Sequence, residues 1–282
     1  VNNNTSTCSA TVTVQDLVLP VAVCQDVTVQ LDNTGNGSTT ALAVNNGSSD
    51  ACGIQSLTLS QTAFTCANVG SNPVTLTVTD VNNNTNTCSA MVTVQDLLPP
   101  TAICQDVTVA LTLSGTVTIN PAQVNLNSTD NCGIQSYGLS QNLFDCTDVG
   151  FNTVILTVTD VNGNVSTCSS QVRVIETTAP LAQCQNVTVQ LNSSGSGSTT
   201  AGAVNNGSSD NCGAVTLALS QTNFTCANLG SNTVTLTVTD ANENTATCSA
   251  TVTVTDNIAP LALCTPVTVQ LNSTGNATVT AA

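Results

Sequence analysis

The chain has 282 residues and carries sixteen acids against a single base, Arg173, with no Lys and no His, for a formal net charge of −15. That balance excludes nucleic acid as a partner, because phosphate binding draws on basic side chains, and it disfavours anionic lipid surfaces for the same reason. No apolar run approaches the roughly 18 residues a membrane span needs, so no membrane insertion is expected in this stretch.

In chain order, the elements begin after Pro20 with Val21–Cys24 and then Val27–Leu31, an alternating strand. Asp32–Gly37 is a turn by composition. Ser38–Val44 reads as the next strand, closed by Asn45–Asp50. Ile54–Ser60 and Phe64–Cys66 read as two short strands, with a polar corner at Ala67–Asn72. Val74–Thr79 and Thr87–Val94 alternate cleanly on either side of Asp80–Thr85. In the next copy that last connection contains Gly163 after Asn162, the strongest short-range hairpin signal. Seven short strands with frequent turns and no helical apolar period describe an immunoglobulin-like sandwich, so the fold class is all-β.

The pattern then repeats. Fourteen cysteines fall on an 80-residue lattice: Cys8, Cys88, Cys168, Cys248; Cys24, Cys104, Cys184, Cys264; Cys52, Cys132, Cys212; and Cys66, Cys146, Cys226. A strict period means tandem copies of one folding unit. The boundaries fall at 1–17 (last strand of a truncated repeat), 18–97, 98–177, 178–257, and 258–282 (first part of another truncated repeat). Prolines at Pro20, Pro99, Pro100, Pro180 and Pro260 sit in the linkers and stiffen them, so the domains are expected to stack into a rod.

Aromatics are nearly absent: no Trp, one Tyr and four Phe. A core that thin calls for disulfides, which small extracellular modules commonly use. Cysteine spacings of 16, 28, 14 and 22 with no His argue against zinc. An oxidising, extracellular or cell-surface location follows. The start Val1-Asn2-Asn3-Asn4 is not a signal peptide, so an internal stretch of a longer precursor is expected.

Two pairings compete. One keeps both bridges inside a unit: Cys24–Cys88, Cys52–Cys66, Cys104–Cys168, Cys132–Cys146, Cys184–Cys248 and Cys212–Cys226, with Cys8 and Cys264 pairing to repeats outside the stretch. The other joins Cys88 to Cys104 across the linker. The first is favoured, because a strand of about 26 Å separates Cys88 from the linker at ~3.3 Å per residue, whereas bridged Cα atoms lie within roughly 7 Å.

The acids also recur. Asp16, Asp96, Glu176 and Asp256 end each unit; Asp50, Asp130 and Asp210 precede a Cys-Gly; Asp80, Asp160 and Asp240 stand at the final hairpin. The series Asp26 and Asp106 becomes Asn186 and then Pro266, so it is dispensable. Three carboxylates could converge at each junction and hold Ca2+, which prefers oxygen ligands. The plainer and favoured account is that Asp50 and Asp80 cap their turns through backbone hydrogen bonds. Repetition of the same acids in every unit argues against a unique active site, so no enzyme and no catalytic residue is expected.

Ala-x-Cys-Gln-Asp/Asn-Val-Thr-Val at the start of each unit and Val-Thr-Asp-x-Asn-x-Asn-x-x-Thr-Cys-Ser at its end resemble hyalin-repeat (HYR) modules. They look most like the HYR-like arrays of large Bacteroidota surface and secreted proteins, including gliding-motility adhesins. The resemblance covers every unit and implies an immunoglobulin-like fold, export (often by type IX secretion) and a stalk or adhesive role. Cys-Gln replaces the usual Cys-Pro, so the family's partners do not carry over. The expected partners are neighbouring repeats, with lateral self-association into filaments, or alternatively a glycan or matrix ligand bound by repeated loops. Carbohydrate recognition usually draws on exposed aromatics, and their scarcity favours the structural segment.

Overall fold

A computed structural model describes residues 2–280. It holds three β-sandwich repeats built to one plan. In the first, β1 (Val27–Gln30), β2 (Asn36–Ser38), α1 (Ala41–Val44), β3 (Ile54–Leu59), β4 (Ala63–Thr65), β5 (Gly70–Asp80) and β6 (Thr85–Gln95) follow in order. The second repeats this as β7 (Val107–Ala110), β8 (Thr116–Thr118), α2 (Pro121–Val124), β9 (Ile134–Leu139), β10 (Leu143–Asp145), β11 (Gly150–Asp160) and β12 (Val165–Ile175). The third comprises β13 (Val187–Gln190), β14 (Ser196–Ser198), α3 (Ala201–Val204), β15 (Thr216–Leu219), β16 (Asn223–Thr225), β17 (Gly230–Thr239) and β18 (Thr245–Thr255). Among the described residues, 2–110 and 116–175 form one compact unit, and 111–115 with 176–280 another.

Each repeat has a four-stranded sheet, ordered β1-β6-β5-β3 in the first, facing the two-stranded sheet β2-β4. Strict alternation on the two long strands turns Val74, Leu76 and Val78 of β5, and Ala90, Val92 and Val94 of β6, to the interior. From the small sheet comes Phe64, 1% exposed, with Val29, Leu31 and Val44 around it. One ring per repeat anchors a core otherwise made of short aliphatic chains. Burying such a ring is worth roughly 1.5–3 kcal/mol, which is why Phe144 and Phe224 occupy the same place in their repeats.

The strand β1 lies parallel to β6, with Val27 opposite Val92 and Gln30 opposite Gln95. Cys24 just ahead of β1 therefore meets Cys88, at a Cα separation of 5.9 Å. Cys104–Cys168 and Cys184–Cys248 repeat that bridge at 5.8 and 5.9 Å. Asp80, Asp160 and Asp240 open the final hairpin, whose antiparallel register runs, in the second repeat, to Thr159 opposite Val165.

Two expectations are corrected. Ser38–Val44 is not a strand: β2 ends at Ser38, and Ala41–Val44 is one helical turn. The Thr40 hydroxyl caps it by accepting from the Ala43 amide at 3.2 Å, and in the second repeat Pro121 takes the first helical position. The second correction concerns the cysteines. Cys52 does not pair with Cys66, nor Cys132 with Cys146, nor Cys212 with Cys226. Instead Cys66 bonds Cys132 of the following repeat, with Cα atoms 5.3 Å apart. Cys146 and Cys212 are both disulfide-bonded, while Cys8, Cys52, Cys226 and Cys264 are free and exposed.

The reason is strand direction. Cys52 precedes β3, whose Ile54 lies opposite Asp80 at the pole where β5 ends. Past Leu59 the chain does not turn back as a hairpin; it crosses to the other sheet, where β4 pairs with β2 and Thr65 lies opposite Asn36. Thr65 and Asn36 lie at the far pole, where β1 and β6 both finish. β3 alone covers about 20 Å at ~3.3 Å per residue, so Cys52 and Cys66 stand at opposite ends of one sandwich, far beyond bridging distance.

Candidate functional site

At the junction between the first two repeats, the end of β6 hands Asp96 to the pole where β9 begins and the β11–β12 hairpin turns. Asp96, Asp130 and Asp160 come together there, one oxygen from each lying within 4.8 Å of the others. Asp16, Asp50 and Cys52 form the corresponding group ahead of the first repeat, and Glu176, Asp210 and Asp240 the one ahead of the third. Asp80 is fully buried and adds its charge to the field at Cys52. Three acids are thus brought together at the entrances of the second and third repeats, whereas ahead of the first Cys52 stands in the group and Asp80 does not.

Each carboxylate has a structural task that uses part of its capacity. Asp160 Oδ1 accepts from the Asn162 and Asn164 amides at 2.8 Å each, fixing the hairpin. Its Oδ2 accepts from Asn164 Nδ2 at 2.8 Å, and that same nitrogen donates to the Asp96 carbonyl at 3.1 Å. Asn164 is therefore a clamp between hairpin and linker, repeated by Asn84 on the Asp16 carbonyl at 3.1 Å and by Asn244 on Glu176 Oε2 at 2.6 Å. Asp130 Oδ2 accepts from the Cys132 and Gly133 amides at 2.8 and 3.0 Å. Asp96 Oδ1 accepts from the Leu98 amide and from Asn131 Nδ2, both at 3.2 Å.

Capping leaves two oxygens over. Asp96 Oδ2 and Asp130 Oδ1 are buried without a hydrogen-bond partner, although Asp96 is only 5% exposed; Asp210 Oδ1 is left the same way in the third repeat. A buried carboxylate oxygen without a donor is costly. Two ionised carboxylates 4.8 Å apart repel by about 3.5 kcal/mol at an effective dielectric of ~20. The one base in the chain does not relieve this: Arg173 is exposed and stacks over Phe151 at 5.8 Å.

The hydrogen bonds also set acidity. For Asp240, burial pushes the carboxyl upward, but the Asn244 side chain, the Asn244 and Asn242 amides and Glu176 together hold it below its ordinary value. Cys52 is pushed the other way: its thiol is raised by a hydrogen bond to Asp16 and by the negative charge of Asp16, Asp50 and Asp80.

The junction also carries the bridge. Asn131 Nδ2 donates to the Asp32 carbonyl of the preceding repeat at 3.0 Å, and Cys66 Sγ lies 3.5 Å from the Asn131 carbonyl. Gly35 allows this approach, because its φ is +75° and a Cβ there would stand 2.7 Å from Cys66 Sγ and 2.9 Å from the Asn131 carbonyl oxygen. Sequence reasoning named the acids but not Asn84, Asn164 and Asn244, nor Asn131. Their signal was present in the recurring Asp-x-Asn-x-Asn run, which reads equally well as loop composition.

The dispensable acid series has a plain explanation. Asp26 Oδ1 accepts from the Met91 amide and Asp106 Oδ1 from the Gln171 amide, both at 2.7 Å, and Asn186 Oδ1 does the same for Thr251 at 2.8 Å. Only an acceptor oxygen is needed there, and an amide supplies it.

No helix among the described residues is long and apolar enough to cross a membrane. No protein-family model and no curated protein matches the chain. Among solved structures, it is similar to titin domains I67–I69 (10% identity, 84% of this chain and 98% of that one, TM-score 0.35). It is also similar to mouse cadherin-23 EC22–24 (15% identity, 83% and 96%, TM-score 0.32) and to mouse clustered PcdhgC3 EC1–3 (15% identity, 69% and 83%, TM-score 0.29).

Proposed function

We propose that this chain is a non-enzymatic structural segment of an extracellular repeat protein, a stiff stalk or filament whose junctions are closed by disulfides and by Ca2+ held among the junction carboxylates. The observation that carries the metal is the pair of buried, unpartnered oxygens on Asp96 and Asp130 beside Asp160. Where a turn needs only an acceptor, this chain substitutes amide for acid, as at Asn186 for Asp106 and at Asn192 for Asp32. At the junction positions it keeps a carboxylate in every repeat, through Asp16, Asp50, Asp80, Asp96, Asp130, Asp160, Glu176, Asp210 and Asp240. An oxygen-only, net-negative donor set suits Ca2+.

Ten disulfide-bonded cysteines support an oxidising, extracellular setting, and the HYR-like motifs support a stalk. Paired acids repeated at every junction offer no single cleft for catalysis. The adhesive alternative, a glycan or matrix ligand, rests on one observation, the exposed Phe151 beside Arg173 on the second repeat.

Calorimetry of the whole chain in 10 mM Ca2+ against chelator tests the metal. Extracellular modules bind Ca2+ at roughly 0.1–1 mM, so linkage gives about 1.4–2.7 kcal/mol per occupied site. That amounts to several degrees in Tm. Asp96→Asn with Asp130→Asn is expected to abolish the response of the first junction. Identical melts of the unaltered chain in Ca2+ and in chelator would remove the metal from the proposal.

A further inference from the structure

The carboxylates at the entrances of the second and third repeats are not served alike. At the second, Asp96 Oδ1 and Asp130 Oδ2 accept the turn amides, while Asp96 Oδ2 and Asp130 Oδ1 are buried with no donor. A further oxygen of the same kind lies on the hairpin. Asn162 stands two residues past Asp160 in the β11–β12 turn, and its Oδ1 is likewise buried without a partner. The turn does not use that oxygen, because Asp160 Oδ1 already accepts from the Asn162 and Asn164 amides. A buried carbonyl oxygen without a donor is costly, and beside three carboxylates a bound cation offsets that cost.

The third repeat is arranged differently. Its linker acid is Glu176, one methylene longer, and both of its oxygens are taken: Oε1 accepts from the Thr178 amide and Oε2 from Asn244 Nδ2. At the second repeat the matching nitrogen of Asn164 donates to the Asp96 backbone carbonyl and leaves that carboxylate alone. Asn242, in the place of Asn162, is exposed rather than half-buried. Among the acids and the hairpin asparagine there, Asp210 Oδ1 is the buried oxygen left over.

We propose that Asn162 Oδ1 is a metal ligand beside Asp96, Asp130 and Asp160, and that the second repeat's entrance therefore takes up Ca2+ before the third. This rests on the reading of the junction carboxylates as a Ca2+ site. The second entrance offers the ion three oxygens already stripped of water, and Ca2+ affinity follows ligand number and site rigidity. At the third, the ion shares Glu176 with two donors and has to draw Asn242 out of water. One oxygen ligand of hydrogen-bond strength corresponds to about five- to tenfold in affinity. The junctions then close in order as Ca2+ rises, rather than together.

Tyr137 reads the second entrance separately. It is the one tyrosine in a chain without tryptophan, and it stands opposite Val158, two residues from Asp160 on β11. Energy transfer from Tyr137 to bound Tb3+ therefore reports this site, and displacement of Tb3+ by Ca2+ gives its midpoint. Calorimetric Ca2+ titration of the full chain reads all sites, with Asp50→Asn in the background to weaken the group ahead of the first repeat. The Tyr137 midpoint is expected to match the tighter class, and a second class to lie about five- to tenfold weaker. Asn162→Ala is expected to weaken the Tyr137 midpoint by about fivefold or more, whereas Asn162→Asp, which keeps the oxygen, holds or tightens it. Glu176→Gln is expected to weaken the second class alone. Equal affinities at the two entrances, an Asn162→Ala midpoint that does not move, or a tighter class that answers to Glu176→Gln overturns the proposal while the metal stands. So does a loss with Asn162→Asp as large as with Ala, which would make the side chain a donor. A chain that binds neither Ca2+ nor Tb3+ overturns it together with the metal itself.

Discussion

The entrance of the second repeat and the entrance of the first are built from nearly the same residues, but only the second is seen docked on a preceding sandwich among the described residues. Asp130-Asn131-Cys132-Gly133 is half-buried against the turn of the preceding repeat, bonded through Cys132 and hydrogen-bonded through Asn131. Asp50-Ala51-Cys52-Gly53 makes the same internal cap from Asp50 to the Cys52 amide, while its thiol is exposed and free. The local cap is thus independent of the junction. The Cys66–Cys132 bridge staples one repeat to the next and touches the first core only at its edge, so the two bridges have different work: Cys24–Cys88 ties the strands of one sandwich, and Cys66–Cys132 a joint.

The sharpest way to break that distinction is to remove each bridge in turn. Cys24→Ser with Cys88→Ser opens a 64-residue separation inside one core, and is expected to cost about 2–5 kcal/mol and to unfold the first repeat near 37 °C. Cys66→Ser with Cys132→Ser is expected to cost the first sandwich less, about 1–2 kcal/mol, since these two half-buried sulfurs pack against its core only from the edge. What it loses is the joint, read as faster proteolysis across Leu97–Pro100. Denaturant melts that show equal losses for the two pairs would erase the difference.

A smaller effect separates backbone strain from junction contact. Gly35 and Gly47 both have left-handed φ, +75° and +83°, but only at Gly35 would a Cβ meet the bridge; at Gly47 nothing lies within 4 Å. Both changes to Ala incur the conformational cost of about 1 kcal/mol. Gly35→Ala is expected to cost about 1–3 kcal/mol more in the same melts, because the Cys66 sulfur and the Asn131 carbonyl must move.

The smallest effect is on acid sensitivity. Asp240 has its carboxyl held below the ordinary 3.8, so its contribution is fully present above that value and is lost as pH falls through the lower, folded one. Asp240→Asn keeps an acceptor for the Asn242 and Asn244 amides and removes the titration. Stability of the third repeat is then expected to fall less steeply as pH drops below 3.8, as followed by calorimetry. An unchanged slope would mean that the hairpin hydrogen bonds do not discriminate the charged form.

How far the sequence could be read differs between elements. The long strands β5 and β6 were legible because alternation of Val and Leu with Thr and Asn states which face is inward. The first bridge was legible because a parallel first and last strand puts Cys24 beside Cys88. The helical turn at Ala41–Val44 was not, since four residues show no period and only the caps Thr40 and Asn120 betray it. The acids were found and read two ways, as turn caps by preference and as a converging Ca2+ set; that Asp96 and Asp130 keep an oxygen unsatisfied depends on what surrounds them.

The sequence by itself determined the repeat, the sandwich class, the bridge within each repeat and the return of carboxylates at every junction, because all of these are stated by spacing and periodicity along one chain. Only the tertiary structure decided where Cys66 goes. Spacing places Cys52 and Cys66 fourteen residues apart, but the crossing from β3 to β4 sends them to opposite poles, and the nearest thiol to Cys66 belongs to the next repeat. Distance along the chain does not fix distance across a sandwich; strand direction does.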